Sequence, residues 1–426
     1  MSPRPLPRHQ VAVVGGGQAG LSVSHFLQQQ QLDHVVLEKH RALHVWDEQR
    51  WDNFCLVTPN WQCALPGHPY RGAEPHGFMT KPQILDYLRG FKEAVAAPLR
   101  EGVAVLRARP LPDGGFHLST SEGELLADQL VVASGGYHQP IVPRLAERLP
   151  AHIMQLHSAQ YRNPAQLPAG KVLVVGAGQS GAQIAEDLHL AGREVVLAVG
   201  DAPRCARFYR GRDVVDWLAD MGYYDMPVEQ HPLREGVRDN TNHYVTGRDG
   251  GRDIDLRRFA LEGMELYGPL RALEGDTLSF EPGLTEALDQ ADRTYNGINA
   301  SIDRYIAERG LDAPPGQVYA PVWAPAQERE TLSLADSGIT AVIWCIGFTP
   351  DFSWLDAPIF NGRGHPVHRR GLTQVPGLYV VGLPWLHTWG SGRFSGVARD
   401  ARFIVEHLAA RATAAAQPAG EALQPA

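Results

Sequence analysis

One arrangement of apolar and polar positions occurs twice along the chain. In its first copy, a short apolar run ends at Val14 and leads into a glycine cluster. Apolar residues then follow at near-helical spacing at Leu21, Val23, Phe26 and Leu27, before the second apolar run DHVVLEK. Short runs of β-branched residues indicate buried strands, and apolar residues spaced three to four positions apart indicate an amphipathic helix. Each copy therefore predicts a strand–helix–strand unit, and the second reads KVLVV, SGAQIAEDLHLAG and REVVLAV.

The glycines between strand and helix follow the pattern Gly-x-Gly-x-x-Gly in both copies. In this context the first glycine permits a tight turn, and the second lets the backbone approach a pyrophosphate. The third lets the helix pack closely against the strand. The phosphates then meet the N-terminal amides of the helix. The pattern predicts two dinucleotide sites, with glycines at Gly15, Gly17 and Gly20 and at Gly176, Gly178 and Gly181.

The residue after the second strand distinguishes the two sites. Glu38 lies eighteen positions after Gly20, where a carboxylate binds ribose hydroxyls and repels a 2′-phosphate. The equivalent position of the second copy is Val199, which cannot bind ribose in this way. Arginines follow shortly after it, and a charge-assisted hydrogen bond from one of them would favour a 2′-phosphate. The first site is therefore predicted to bind FAD or NAD and the second NADPH, through Arg204 and Arg207, with Arg210 nearby.

Composition narrows the class of protein. The chain has 426 residues, of which 44% are hydrophobic and 20% charged, with a net charge of −8. These values predict two or three globular domains and argue against nucleic acid or an anionic membrane as the partner. No apolar run reaches eighteen residues, and the four cysteines include no CxxC pair. We expect a cytoplasmic enzyme that has no metal site, and homodimer formation is left open.

Several stretches resemble the flavin-containing monooxygenases, and most closely a bacterial branch of flavin-dependent oxidoreductases. They are HVWDEQRW, VTPNWQCALPG, DQLVVASGGYHQPIVP, AVIWCIGFTPDFSWL and GLYVVGLPWLHTWGSGRFSGVARDARFIVEHL. The resemblance implies that FAD and NADPH are the cofactors. It implies an FAD site lined by Gly15, Gly17, Gln18, Ala19, Gly20, Glu38, Lys39, Trp46, Val105, Ser134, Gly135, Gly347, Gly382 and Gly396. It implies an NADPH site lined by Gly176, Gly178, Gln179, Ser180 and Gly181.

The resemblance also implies the fold class and the domain organisation. The fold is α/β, with two Rossmann-like domains, and the NADPH domain is inserted in a split FAD domain. We predict the FAD domain at residues 8–150 and 341–410 and the NADPH domain at 165–340. An irregular insertion at 211–330 is expected to set substrate specificity, and 411–426 to be a disordered tail. A β-meander near residues 103–134 and helices near 79–95 and 284–310 are further predictions.

The sequence departs from the family in places. The family signature Phe-x-Gly-x-x-x-His-x-x-x-Tyr/Phe reads AHIMQLHSAQY here, so His157 and Tyr161 match while Ala151 and Ile153 do not. Candidates for a part in the chemistry are Asn60, His157 and Arg393, each with a structural role as its alternative. Packing is the favoured role for His157, and Arg393 is a candidate to balance charge on reduced flavin.

The resemblance implies a monooxygenase that uses O2 and a small substrate. NADPH would reduce FAD, and a C4a-hydroperoxyflavin would transfer oxygen to a nitrogen or sulfur nucleophile. A disulfide oxidoreductase is disfavoured because Cys55 and Cys63 lie eight positions apart. Two alternatives remain: an NADPH oxidase that releases hydrogen peroxide, and a flavin- or NADPH-sensing module without catalysis.

Overall fold

The computed structural model of the chain describes residues 5–416. The first part of the chain alternates strands and helices and ends in an antiparallel meander. Its strands are β1 (Arg8–Val14), β2 (His34–Glu38), β3 (Ala64–Leu65), β4 (His68–Pro69), β5 (Leu99–Glu101), β6 (Val105–Pro110), β7 (Phe116–Thr120), β8 (Gly123–Val132) and β9 (Gln139–Pro140). Its helices are α1 (Gln18–Gln29), α2 (His44–Glu48) and α3 (Lys81–Val95).

The middle of the chain forms a second sheet and an irregular insertion. Its strands are β10 (Met154–His157), β11 (Lys171–Val175), β12 (Val195–Ala198), β13 (Phe208–Tyr209), β14 (Arg212–Asp213), β15 (Glu265–Tyr267), β16 (Leu270–Glu274), β17 (Thr277–Phe280), β18 (Thr331–Ser333) and β19 (Ile339–Trp344). Its helices are α4 (Gln179–Leu190), α5 (Val214–Asp220), α6 (Leu256–Leu261), α7 (Leu284–Arg309) and α8 (Leu334–Ser337).

The chain then returns to the first sheet through β20 (Phe348–Thr349), β21 (Leu378–Val380) and helix α9 (Val397–Ala416). Short 3-10 helices occur at Asn60–Gln62, Arg144–Arg148, Pro164–Gln166, Tyr223–Asp225, Val228–Gln230, Arg234–Asp239 and Arg248–Gly250.

The first sheet has the strand order β5-β2-β1-β8-β7-β6, and β21 pairs in parallel with the end of β8. Helix α9 packs against α1, so the C-terminal segment completes the first domain. We call residues 8–140 and 348–416 the first domain. The predicted split of this domain, its β-meander and the helix near 79–95 are confirmed.

The second sheet is parallel, with the strand order β10-β19-β11-β12-β15. We call residues 154–344 the second domain. The predicted bounds of 165–340 were too narrow, because β10 and β19 pair with each other and both belong to this sheet. Local sequence does not reveal that a strand before the linker joins the later sheet.

The chain leaves the first domain after β9 and returns to it at β20. These two short strands pair with each other in antiparallel fashion. Helix α7 confirms the predicted helix near 284–310. The predicted tail at 411–426 was wrong in its first part, because α9 continues to Ala416; residues 417–426 lie outside the described range. None of the helices within residues 5–416 is long and apolar enough to cross a membrane.

Candidate active site

The first glycine loop has the shape that its sequence predicts. Gly15 has a φ of +116°, and a Cβ there would lie 2.5 Å from the carbonyl oxygen of Ala133. A Cβ at Gly20 would overlap the carbonyl oxygen of Gly15, so α1 starts in close contact with the turn. In contrast, no atom lies within 4 Å of a Cβ placed at Gly17. The loop is therefore closed toward the protein and open where a pyrophosphate would sit.

The carboxylate of Glu38 lies directly behind this loop. Its Oε2 accepts a hydrogen bond of 2.7 Å from the backbone N–H of Gly16, and its Oε1 accepts one of 2.9 Å from that of His40. These bonds hold the carboxylate in place, and the remaining lone pairs suit ribose hydroxyls. Lys39 next to it is exposed. Val105 is half-buried among the apolar side chains of the meander, and Val103 donates its N–H to the Glu38 carbonyl at 2.9 Å.

The closing loop between β21 and α9 packs against the start of α1. The Nε2 of Gln18 donates to the carbonyl oxygen of Gly392 at 3.0 Å, while its Oε1 accepts from the indole of Trp46 at 2.9 Å. A Cβ at Gly382 would lie 2.6 Å from that of Ala19. The tertiary fold thus brings together predicted FAD-lining residues that are more than 360 positions apart.

The turn after β8 adds an unsatisfied polar group. The hydroxyl oxygen of Ser134 is buried and has no hydrogen-bond partner in the protein. Its backbone lies beside the first glycine loop, since a Cβ at Gly15 would be 3.0 Å from the Ser134 nitrogen. Buried hydroxyls normally have a partner, so this one fits a polar group of a bound dinucleotide. A Cβ placed at Gly135 or Gly347 would also have no atom within 4 Å, whereas Gly396 packs closely on Gly390 at the start of α9.

The second glycine loop repeats the tight turn and the close helix–strand approach of the first. Gly176 has a φ of +98°, and its Cβ would lie 2.7 Å from the carbonyl oxygen of Cys345. A Cβ at Gly181 would overlap the carbonyl oxygen of Gly176. Ser180 is exposed at the start of α4. The second loop is therefore also built for a dinucleotide, and β19 supplies its floor as the end of β8 does in the first domain.

Residues 240–246, which we call the bridging segment, link the second loop to the closing loop. Its Val245 carbonyl accepts a 2.8 Å bond from Nε2 of Gln179, and the side chain of Thr241 lies beside Gly178. Its Asn242 accepts a 2.8 Å bond from the guanidinium of Arg393. Sequence reasoning missed this segment, because the stretch is polar and has no periodic pattern. The bridging segment therefore contacts both the second glycine loop and the closing loop.

Arg393 is held by uncharged groups. Besides Asn242, its guanidinium donates to the carbonyl of Trp389 and lies 4.0 Å from the centre of that indole ring. Burial lowers the pKa of Arg393 below its usual value. The group still stays protonated, since arginine titrates far above neutral pH. A positive charge thus lies on the closing loop, which also contacts Gln18 at the start of α1.

The two arginines predicted to read a 2′-phosphate are buried in ion pairs instead. Arg204 has 2% of its side chain exposed and pairs with Asp292 at 3.0 Å and Asp255 at 3.5 Å. Its guanidinium packs against the rings of both Tyr295 and Tyr319, 4.5 Å and 4.0 Å from their centres. A phosphate would have to displace these partners at a large desolvation cost. Burial in these ion pairs argues against the predicted 2′-phosphate role for Arg204.

Arg207 is equally inaccessible. It pairs with the buried Asp213, donates to the Val57 carbonyl at 2.6 Å and lies over the ring of Phe78. Val57 and Phe78 belong to the first domain, so Arg207 connects the insertion to that domain. These contacts likewise argue against its predicted 2′-phosphate role. Arg210, with 24% of its side chain exposed, pairs with Asp303 at 2.6 Å.

Asn60 and His157 are occupied by backbone groups. The Asn60 amide donates to the Glu74 carbonyl at 3.0 Å and accepts from the Met79 N–H at 2.8 Å. His157 Nε2 bonds the Gly347 carbonyl at 3.0 Å, and Nδ1 accepts from the Ala159 N–H at 3.2 Å. Burial lowers the pKa of this histidine, so it stays neutral. Both side chains therefore hold loops in place, which favours the structural role over the catalytic role for each.

The four cysteines are free thiols. Burial raises the pKa of Cys63 to about 12 and that of Cys205 to about 12, and it raises those of Cys55 and Cys345 as well. Thiol–disulfide exchange requires a thiolate near neutral pH. These cysteines are consequently unsuited to the disulfide chemistry that was disfavoured from their spacing.

Comparison with known proteins agrees with this geometry. Residues 12–218 match the pyridine nucleotide-disulphide oxidoreductase family. An uncharacterized CzcO-like oxidoreductase of Geobacillus kaustophilus is 30% identical over 405 residues, covering 93% of this chain and 97% of the relative. The chain belongs to the CzcO-like oxidoreductases. It carries the two dinucleotide-binding domains of an FAD- and NADPH-dependent oxidoreductase, as its resemblance to flavin-containing monooxygenases implied.

The names of more distant relatives state an activity. The probable indole-3-pyruvate monooxygenase YUCCA3 of Arabidopsis thaliana is 28% identical over 202 residues, 45% of this chain and 46% of that protein. A flavin monooxygenase from Stenotrophomonas maltophilia, solved as a variant, superposes with a TM-score of 0.65. It is 20% identical and covers 96% of this chain and 100% of its own, which establishes the shared fold.

Proposed function

We propose that this CzcO-like oxidoreductase is an NADPH-using flavin monooxygenase, with FAD on the first glycine loop and NADPH on the second. The observation that carries the proposal is the bridging segment, which contacts the second loop through Gln179 and the closing loop through Arg393. A donor on one loop and an acceptor on the other would meet there. FAD, once reduced, supplies the reaction with O2 from which one oxygen reaches the substrate.

The residues of the chain would bind FAD, orient its flavin ring and shield the ring from water. Glu38 would hold the ribose of FAD, and the start of α9 would direct backbone amides at the flavin ring. Arg393 would offset negative charge on the reduced ring. Acid–base side chains are not required for this role, which agrees with the backbone-bonded positions of Asn60 and His157.

The substrate we propose is a small nucleophile containing nitrogen or sulfur. Aromatic side chains of the insertion meet those of the closing loop, with the rings of Tyr224 and Trp389 4.6 Å apart and those of Tyr223 and Trp385 6.3 Å apart. Such a wall excludes water from the reaction space. Burial also raises the pKa of Tyr223 and Tyr224, so both stay neutral.

The proposal is tested by comparing the NADPH and O2 consumed with the hydrogen peroxide and oxygenated product formed. The purified chain is expected to show a flavin spectrum and to consume NADPH and O2 in equal amounts. With a suitable amine or sulfide, peroxide release should fall below NADPH consumption as oxygenated product appears. If peroxide equals the NADPH consumed with every candidate substrate, the chain is an oxidase and the monooxygenase proposal fails. If NADPH does not reduce the flavin, both activities are excluded.

A further inference from the structure

A buried carboxylate joins the two nucleotide domains. Asp187 lies in α4, the helix that starts at the second glycine loop, and is 2% exposed. Its Oδ1 accepts bonds from the Asn53 amide at 2.9 Å and from the Arg248 guanidinium at 2.7 Å. Its Oδ2 accepts a 2.7 Å bond from the hydroxyl of Tyr161. Sequence reasoning did not single out this residue.

The three donors come from separate parts of the chain. Asn53 belongs to the first domain and precedes the stretch at 57–67 that resembles the flavin-crossing segment of the family. Tyr161 follows β10, and Arg248 follows the bridging segment. Neighbouring contacts support the junction, since the Asp52 N–H donates to the Arg162 carbonyl at 2.8 Å. One carboxylate thus connects the second glycine-loop helix with the first domain, with the residues after β10 and with those after the bridging segment.

Because the Asp187 cluster is buried, its hydrogen bonds require one particular arrangement of the side chains. A buried carboxylate is tolerated only when charge and hydrogen bonds compensate its lost hydration. Arg248 supplies the charge, while Asn53 and Tyr161 supply further donors. Loss of any donor leaves a buried polar group unsatisfied, so the cluster has one favourable arrangement. The bond from Asn53 therefore fixes α4 relative to the first domain.

We propose that Asp187 is a positioning residue that sets the distance between the two bound dinucleotides. The inference rests on the proposed function, because hydride transfer requires reacting atoms about 3–3.5 Å apart. Asp187 lies two helical turns from the glycine loop, so it acts through α4 and does not contact either dinucleotide. A small rotation of α4 would move the donor away from the flavin without removing either binding site.

Flavin reduction without O2 is the measurement that tests this inference. We expect Asp187→Asn to keep its FAD and its NADP⁺ dissociation constant, while the rate of flavin reduction by NADPH falls roughly 10- to 100-fold. Asn53→Ala removes only the bond from the first domain and should lower the same rate. It also provides the test if Asp187→Asn does not fold.

Glu186 is the matched control. It is the neighbouring residue in α4, is also 2% exposed, and pairs with Arg252 of its own domain at 3.0 Å. We expect Glu186→Gln to lower stability without slowing flavin reduction. Equal slowing by Glu186→Gln, or unchanged reduction in Asp187→Asn and Asn53→Ala, would overturn the inference. A wild-type chain that NADPH does not reduce would instead overturn the proposed function.

A readout independent of turnover accompanies the kinetics. Hydrogen–deuterium exchange of the chain without added cofactor should rise at residues 50–57, which contain Asn53, in Asp187→Asn. The same segment should remain protected in Glu186→Gln, since Glu186 pairs with Arg252 of its own domain. Equal exchange in the two variants would show that Asp187 does not couple the domains.

Discussion

Arg204 shows that an arginine beside a nucleotide-binding motif can be a buried core residue, whereas a solvent-exposed arginine could bind a phosphate. Its guanidinium is enclosed by Asp255, Asp292 and two tyrosine rings. Removing one partner of such a buried pair leaves uncompensated charge, at a cost of about 3–5 kcal/mol. We therefore expect Arg204→Ala to lower the free energy of unfolding by about this amount, as measured by urea denaturation. Its ratio of NADPH to NADH efficiency should match that of wild type; a selective loss for NADPH would restore the 2′-phosphate role.

Asp400 provides a pH test at the same scale. It is 2% exposed, and burial raises its pKa to about 6, whereas an unfolded aspartate titrates near 4. The folded state therefore binds the proton more tightly. Its contribution to stability is complete below about pH 4 and is lost as the pH rises through about 6.

Asp400→Asn should remove this dependence, because the amide stays neutral. We expect its free energy of unfolding to exceed that of wild type by about 3 kcal/mol near pH 8 and to match it near pH 4. Urea denaturation at both pH values measures the difference. An identical difference at the two pH values would assign the effect to packing.

At the scale of elements, close approach between a helix and a strand determines whether each glycine loop can form. A Cβ at Gly181 would overlap the Gly176 carbonyl and push α4 from β11. We expect Gly181→Ala to raise the KM for NADPH by about tenfold or more, equivalent to about 1.4 kcal/mol of binding. The FAD spectrum should be retained, since the first loop is unaffected. An unchanged KM would mean that the second loop does not bind the donor.

Gly297 is the control for this substitution. It is exposed within α7, and a Cβ placed there would have no neighbouring atom within 4 Å. Alanine there should stabilise the helix by about 1 kcal/mol, because glycine is unfavourable in helix interiors. Thermal denaturation measures this gain, and a loss would contradict the helical assignment at this position.

At the scale of the whole molecule, the insertion and the first domain are interlocked. The Arg207 guanidinium donates to the Val57 carbonyl at 2.6 Å, and the Trp61 indole donates to Asp216 at 2.7 Å. Gly247 packs so closely that a Cβ would overlap the carbonyl oxygen of Leu56. The domains are therefore coupled well beyond the Asp187 cluster.

We expect the domains to unfold together. Circular dichroism and flavin release should give the same midpoint, and Gly247→Ala should lower both midpoints because it disrupts the contact with Leu56. The Gly297→Ala variant serves again as the control, since it makes the same chemical change without a neighbour. Two separate midpoints in the wild-type protein would contradict this coupling.

The local pattern of residues in the sequence was sufficient to predict much of the fold. The two glycine loops, Glu38 and helix α7 depend on neighbours close in sequence, so their spacing and composition determine them. The resemblance supplied the split of the first domain and the loops that meet at Gln18. Those loops lie far apart in the chain, and spacing alone does not indicate that they meet.

Burial and long-range pairing were decided by the tertiary structure. A sequence shows that Arg204 and Arg207 are cationic, but only packing shows that Asp292, Asp213 and their neighbours neutralise them. The same holds for Asp187, an ordinary helical aspartate until Asn53, Tyr161 and Arg248 converge on it. Partner choice depends on the free energy of desolvation in a folded interior, and that quantity does not exist until distant segments have come together.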